Sequence, residues 1–396
     1  MNGYQYAVIN RNTFKELPDR KPEPIPQTPL KLYVEATSLC NLSCEMCFRK
    51  SWINEKYGHI RTDAVLRVFD EPMFAESVQT VFFGGMGEPL IHPDIMKMIA
   101  AVKAKGKRVE IITNGTSLDR ERIERLVTLS VDEVWVSIDS FDSEGYERIQ
   151  VGSDFDKVVR NIRAFNERRR GTDVKLGLTF VLMKSNILQL TEFEKFTEEM
   201  LADDVNISNM IPNVLSMEPE TLAYQTIFED NIHPHYYDKA QTQVAMIRMT
   251  EDDLIENPGI ERLLDRYRTL LWRGKPLLRR ENSCRFITDG TCFLRWDGEV
   301  IPCMGLLHSA HTCLHGTLRT VMSHSFGSIY DSTLTEVWHS EAYARFRERV
   351  AAFNFAPCTF CGGCARREGT KDDCINTGEG PVCSACLWGQ GVARCP

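Results

Sequence analysis

The sequence has no apolar run long enough to cross a bilayer. Its longest, Leu176–Met183 (LGLTFVLM), falls far short of the roughly 18 residues a spanning helix needs. It has no surplus of positive charge: 47 Lys and Arg face 55 Asp and Glu, a formal net charge of −8. Nothing in that balance favours nucleic acid or an anionic membrane surface. The opening residues, MNGYQYAVINRNTFKELPDRK, lack the apolar core of a secretory signal. These absences predict a soluble, cytoplasmic protein with no nucleic-acid or membrane partner. One more absence is the most informative. No cysteine occurs between residues 48 and 283.

What is present is therefore clustered. Of 14 cysteines, three lie at 40, 44 and 47, and the other eleven fall between 284 and 395. A reducing compartment argues against disulfides, and cysteines that serve only as buried packing are scattered. Clustering points to metal ligation, and a donor set of thiolates narrows the metal to zinc or iron–sulfur. The rest of the composition, 43% hydrophobic and 26% charged over 396 residues, is that of a globular chain of two to three domains.

Residues 1–30 are polar and end in PEPIPQTP, an arm and extended linker. From Lys31 a regular alternation begins. Strands are predicted at 31–36, 79–83, 108–112, 133–138, 175–183 and 205–211, where β-branched and aromatic residues concentrate. Helical periodicity lies between them, as at Pro93–Lys105, Asp119–Leu129, Phe155–Arg169 and Leu188–Leu201. Six strands alternating with helices make an α/β domain over 31–212 with a parallel sheet. The strands alone leave open whether the sheet stays flat or curls into a barrel. Residues 213–283 read as a helical, charged bridge. Residues 284–396 read as short strands, turns and cysteines that need metal to cross-link them.

Ligands of parallel βα folds bind at the carboxyl ends of the strands, and the unusual segments of the first half all fall there. They are Cys40-Asn-Leu-Ser-Cys44-Glu-Met-Cys47, Gly84-Gly85-Met86-Gly87-Glu88-Pro89, Thr113-Asn114-Gly115 and Ser137-Ile138-Asp139-Ser140. Singly, each is also an ordinary turn or helix cap. Three thiolates on one short loop suit three corners of a four-iron cube and leave one iron open. A structural zinc site needs a fourth ligand nearby, yet no Cys or His lies between Cys47 and His59.

CxxxCxxC with a hydrophobic residue, Met46, before its last cysteine resembles the signature of radical S-adenosylmethionine (SAM) enzymes. The resemblance spans about 31–212 and implies a partial (β/α)6 TIM-like barrel. It implies that Cys40, Cys44 and Cys47 bind a 4Fe–4S cluster whose fourth iron is chelated by SAM. Gly84, Gly85, Gly87 and Glu88 resemble the family's GGEP segment, which contacts the SAM amino group; here it is lengthened to GGMGEP. Ser137 and Asp139 match positions near the SAM carboxylate and ribose, and Asn114 lines the same pocket. Many relatives carry arginine where this chain has Gln150. The chemistry implied is reductive cleavage of SAM to a 5′-deoxyadenosyl radical, which abstracts hydrogen from a substrate.

The second cysteine group resembles a SPASM domain, an auxiliary iron–sulfur module, through Cys284…Gly298-Glu-Val-Ile-Pro-Cys303, Gly327-Ser-Ile, Leu334–Trp338 and Phe346-Arg347. Two auxiliary 4Fe–4S clusters are implied. Cys284, Cys292 and Cys303 are assigned to the first with one later cysteine, and Cys358 and Cys361 to the second. Cys364, Cys374, Cys383, Cys386 and Cys395 are the candidates for the remaining ligands, with both their partition and which of them are spare left open. The spacing departs from the usual Cys-x2-Cys-x5-Cys-x3-Cys, since Cys358, Cys361, Cys364 and Cys374 run x2, x2, x9. The ending CSACLWGQGVARCP is similar to a subgroup associated with maturation of tungsten-dependent aldehyde oxidoreductases. His308-x2-His311-x-Cys313-x-His315 reads as a solvated loop rather than a zinc site.

The function these resemblances imply is a radical SAM maturase acting on a peptide or partner protein, such as a tungsten-cofactor oxidoreductase or its associated peptide. A low-potential donor such as ferredoxin or flavodoxin supplies the electron. The alternatives are a formylglycine-generating enzyme like the anaerobic sulfatase maturases, a small-molecule radical SAM dehydrogenase, and a non-catalytic electron carrier. The carrier would have no use for a SAM pocket.

Overall fold

The computed structural model describes residues 25–221, 284–314 and 317–353, the short segments 271–272 and 275–276, and part of 355–393. Six strands, β1 (Lys31–Val34), β2 (Thr80–Phe83), β3 (Arg108–Thr113), β4 (Glu133–Ser137), β5 (Lys175–Leu182) and β6 (Asp204–Asn209), pair in chain order. Every one of these pairs is parallel. Parallel neighbours require a crossover, and helices supply it. Asp119 and Asp154 cap the helices Arg120–Thr128 and Phe155–Arg169 by accepting from Arg122 N and Lys157 N. The strands begin and end within two residues of their predicted limits.

Leu188–Leu201 is not one helix. Lys184–Thr191 is 3-10 and Phe193–Glu199 is α. The Asn186 side chain accepts from Met183 N and donates to Val181 and Asp139 carbonyls, which ties the first turns to the strand ends and tightens them. In the 213–283 segment, Leu215–Glu220 is 3-10, and the two-residue strands β7 (Leu271–Trp272) and β8 (Lys275–Pro276) pair antiparallel. The rest of that segment lies outside the described residues.

The larger surprise is at the free edge of β1. β9 (Thr291–Leu294) pairs with β1 in parallel, placing Cys292 opposite Leu32 and Phe293 opposite Tyr33. β10 (Val300–Ile301) then adds antiparallel to β9. The order β10-β9-β1-β2-β3-β4-β5-β6 makes an eight-stranded wall that does not close on itself, a partial TIM-like barrel. An unpaired β1 would present a row of open backbone groups, and the C-terminal chain covers it. Tyr33 stacks between Phe82 and Phe293 at 4.5 and 4.4 Å.

β11 (Ala310–Leu314) and β12 (Thr317–Val321) form a separate hairpin. The helices Leu334–Trp338 and Glu341–Ala352 follow, the first opened by a Thr333/Glu336 capping box. The Glu71 carboxylate accepts from Leu334 N and Thr335 N, pinning this region to the barrel. One continuous hydrophobic core runs from Leu32 through the six strands to Cys292, Trp338 and Val350.

Candidate functional site

Cys40, Cys44 and Cys47 lie on the loop that leaves β1, and the ends of other strands hold that loop from several sides. After β2, Glu88 N donates to Leu39 O at 2.8 Å. After β3, Asn114 Nδ2 donates to Asn41 Oδ1 at 3.0 Å and reaches Cys40 Sγ at 3.8 Å. Beyond β4, Ser43 N and Glu45 N donate to Val151 O and Ile149 O, each at 2.9 Å. After β6, Asn213 Nδ2 donates to Cys47 O at 2.6 Å. Arg49 donates to Leu42 O at 2.6 Å, and its guanidinium lies near enough to attract a Cys47 thiolate. Asn41, Arg49 and Asn213 were not singled out from the sequence, because isolated polar residues in loops carry no spacing signal.

Gly87 shows why the glycine-rich segment has its composition. A Cβ there would sit 2.1 Å from Thr37 O and 2.5 Å from Leu39 O, backbone atoms that cannot swing aside. Gly87→Ala is expected to cost about 3 kcal/mol or more, by overpacking. A thermal melt checks this, together with iron retained per chain, since the displaced segment is the approach to Cys40.

Two buried carboxylates of this end, Glu88 and Asp139, are engaged by the protein itself. Glu88 accepts from Thr113 Oγ1 (2.8 Å), Leu90 N (3.1 Å) and Asn114 N (2.7 Å), so it splices the β2 and β3 ends together. Burial pushes its carboxyl up to about 7 against those hydrogen bonds. Asp139 accepts from Val181 N and Gln150 Nε2, each at 2.8 Å, and burial raises it to about 6. Ser137 Oγ pairs with Thr179 Oγ1 at 3.1 Å. Among the described residues, Gln150 Oε1 and Asn213 Oδ1 are buried acceptors with no hydrogen-bond partner. A ligand carrying an ammonium group and hydroxyls, as SAM does, offers the donors they lack. Burial and mutual repulsion raise the Cys40 and Cys44 thiols, so ionised ligands here need a positive metal centre.

A second thiol group assembles from the C-terminal region. Cys284, Cys303 and Cys383 are buried, Cys386 is partly buried, and the four are close enough to repel one another as thiolates. Cys284 is pushed up to about 12 by burial, with Cys386 adding to it; burial and the neighbouring thiols also raise Cys303 and Cys383 well above the ordinary thiol value. Four thiols with such costly charges fit a metal-sulfur cluster. Cys292 does not join them. It sits fully buried on β9 beside Tyr343 and Arg347, and among the described residues no cysteine is among the causes that shift its thiol. Among the described residues no three His, Cys, Asp or Glu side chains approach closely enough to hold a single ion. Tetrahedral zinc would draw its sulfurs to about 3.8 Å from one another, whereas a four-iron cube holds them farther apart. Cys358 is buried with Ile211, Ala385 and Leu387. Cys361, Cys364, Cys374 and Cys395 lie outside the described residues.

A cavity beside the second thiol group also takes lining from residues next to the first. Phe48, Trp52 and Met86 line it from the first, and Cys303, Cys383 and Cys386 from the second. His308 opens onto it too. The solvated-loop expectation for His308–His315 is corrected: His308 and Thr312 are buried, Cys313 is 1% exposed, and residues 310–314 form β11. Hydrogen bonding to Pro212 O through Cys313 N packs this strand against the barrel mouth.

Comparison with known proteins agrees with this layout. Residues 34–186 match the model of the Radical SAM superfamily, and residues 284–365 that of SPASM, an iron-sulfur cluster-binding domain. The chain is 30% identical over 373 residues to the tungsten-containing aldehyde ferredoxin oxidoreductase cofactor-modifying protein of Pyrococcus furiosus, covering 92% of this chain and 96% of that one. It is 23% identical to the PqqA peptide cyclase of Gluconobacter oxydans, over 91% of this chain and 92% of that one. Among solved structures, Streptococcus suis SuiB bound to S-adenosylmethionine shares the fold at a TM-score of 0.56 and 18% identity, over 95% of this chain and 81% of that one. Native anSMEcpe with bound AdoMet does so at 0.55 and 18%, over 91% and 96%.

Proposed function

Because this chain belongs to the radical SAM superfamily and is an enzyme with a SAM-binding 4Fe–4S cluster and a SPASM domain for auxiliary clusters, we propose that it is a maturase of a peptide or partner protein. The observation that carries this reading is the 30% identity, across nearly both whole chains, to a protein named for modifying the cofactor of a tungsten-containing oxidoreductase. The substrate proposed is such an oxidoreductase, its cofactor-bearing form, or a peptide associated with it.

When bound, the cluster and SAM supply a 5′-deoxyadenosyl radical, and the protein supplies placement. Cys40, Cys44 and Cys47 hold three irons and leave the fourth for SAM. The Glu88–Asn114 splice and the Asn41–Asn114 contact fix the pocket wall beside Cys40. Gln150 Oε1 and Asn213 Oδ1 accept hydrogen bonds from the bound ligand. Phe48, Trp52 and Met86 make an apolar lining that excludes water from the reacting centre. Cys284, Cys303, Cys383 and Cys386 would hold an auxiliary iron–sulfur cluster beside the cavity, which would supply an electron acceptor. A low-potential ferredoxin or flavodoxin is the proposed donor.

The test incubates the reconstituted enzyme with SAM, a low-potential reductant and a tungsten oxidoreductase, following 5′-deoxyadenosine and the mass of the protein and its cofactor. Substrate-dependent 5′-deoxyadenosine with a matching mass change supports the reading. Turnover instead with a cysteine- or serine-containing sulfatase peptide, or with a small alcohol, would move the enzyme to one of the alternatives.

A further inference from the structure

Three segments far apart in sequence meet at one buried imidazole. His308 Nε2 lies 2.9 Å from both carboxylate oxygens of Glu35, and Nδ1 lies 3.0 Å from Glu55 Oε2. The His308 and Glu35 side chains are each 1% exposed. Ionised carboxylates only accept, so an imidazole between two of them must donate from both nitrogens and carry a positive charge. Trp52 stacks on the ring at 4.1 Å, a further stabilisation of a cation. Burial alone favours the neutral ring, but Glu35 and Glu55 outweigh it and push His308 up to about 9.

Each carboxylate also grips backbone. Glu35 Oε1 accepts from Met86 N at 3.0 Å, inside the glycine-rich segment, and Glu35 Oε2 accepts from Trp296 N at 3.4 Å. Glu55 Oε1 accepts from Ser309 N at 2.7 Å. The segment lies directly on Glu35, since a Cβ at Gly85 would meet Glu35 Cγ at 2.6 Å. The charged groups around the ring are Glu35 from the end of β1, Glu55 from the loop after Cys47, and Arg295, which faces Glu55 and pairs with Asp297.

We propose that His308 is a positioning residue for SAM: its imidazolium clamps Glu35 against Met86 N–H and so ties the C-terminal domain to the segment 84–89. This rests on the radical SAM reading of that segment. A neutral ring has one N–H and can bridge only one carboxylate. Losing the charge leaves Glu35 and Glu55 repelling each other, and the glycine-rich segment loses its brace. SAM affinity in the wild type therefore weakens as pH rises through about 9, an alkaline limb separate from any change as Glu88 and Asp139 titrate near 7 and 6. The stability linkage has the same sign. A histidine raised above its unfolded value contributes fully below about 6.5, and that contribution is lost as pH rises through the folded value.

The experiment measures SAM affinity by equilibrium dialysis from about pH 6 to about pH 10, beside the titration of His308 by nitrogen-15 NMR, on the reconstituted protein. His308→Phe keeps a ring against Trp52 but has no charge. It is expected to bind SAM about tenfold more weakly, a loss of about 1.4 kcal/mol, and without the alkaline limb. Should it fail to fold, Glu55→Gln keeps the Glu35 contact and is expected to lower both the His308 titration and the alkaline limb together. A purely structural role would lower the melting temperature and leave the pH profile of binding unchanged. His308 titrating near 6.5, or His308→Phe binding SAM with the wild-type profile, overturns the clamp alone. A cluster-loaded wild type that binds no SAM at any pH overturns the radical SAM reading itself, and the clamp with it.

Discussion

Replacing Cys40, Cys44 or Cys47 by Ala is expected to abolish 5′-deoxyadenosine formation and to remove about four irons per chain. The size of the effect follows from the donor count. Three thiolates leave one iron for SAM, and two cannot hold the cube at all. Loss of fold is not the expected cause, because the loop is held by contacts that involve no sulfur. Ser43 N and Glu45 N bond the 149–151 segment, Glu88 N bonds Leu39 O, and Asn213 grips the Cys47 carbonyl. Far-ultraviolet circular dichroism should therefore be unchanged while activity disappears. A Cys44→Ala protein that still cleaved SAM at the wild-type rate would remove the loop from the chemistry.

The second large effect separates the C-terminal thiols. Cys303→Ala or Cys383→Ala is expected to lose a different set of about four irons. Such a variant should still cleave SAM, since Cys40, Cys44 and Cys47 are untouched, but without completing oxidation of a substrate. Cys292→Ala is expected to keep all its iron. Its side chain is fully buried beside Tyr343, so truncation leaves a small void costing about 1 kcal/mol. Iron analysis of the three variants side by side decides the matter. Iron lost from Cys292→Ala and retained in Cys303→Ala would invert the assignment.

Much of the barrel was legible because it is written locally. Strands such as Thr80–Phe83 and Glu133–Ser137 are short apolar runs, and Asp119 and Asp154 mark helix starts with their own side chains. The convergence of the segments after β1 to β4 followed from parallel topology alone. The parts that were not legible depend on pairing across long separations. Nothing in Thr291–Leu294 says that it will lie beside Lys31–Val34, and that pairing sets Cys292 opposite Leu32. Spacing grouped Cys292 with Cys284 and Cys303, whereas the fold gathers Cys284 and Cys303 with Cys383 and Cys386. Glu35 and Glu55 looked like ordinary acidic residues, and His308 like part of a polar loop. Only the docking of β11 against the barrel mouth buries the three together. Glu88 was legible as a residue of the glycine-rich segment. Its hydrogen bonds from Thr113 and Asn114 were not, because they join segments about 25 residues apart.

The most direct test of a SAM-cleaving barrel joined to an auxiliary-cluster domain is iron and acid-labile sulfide per chain after anaerobic reconstitution. About twelve of each are expected, one four-iron cluster for SAM and two beyond it. About four, with zinc occupying the C-terminal thiols, would contradict the account and leave the second domain a structural metal site.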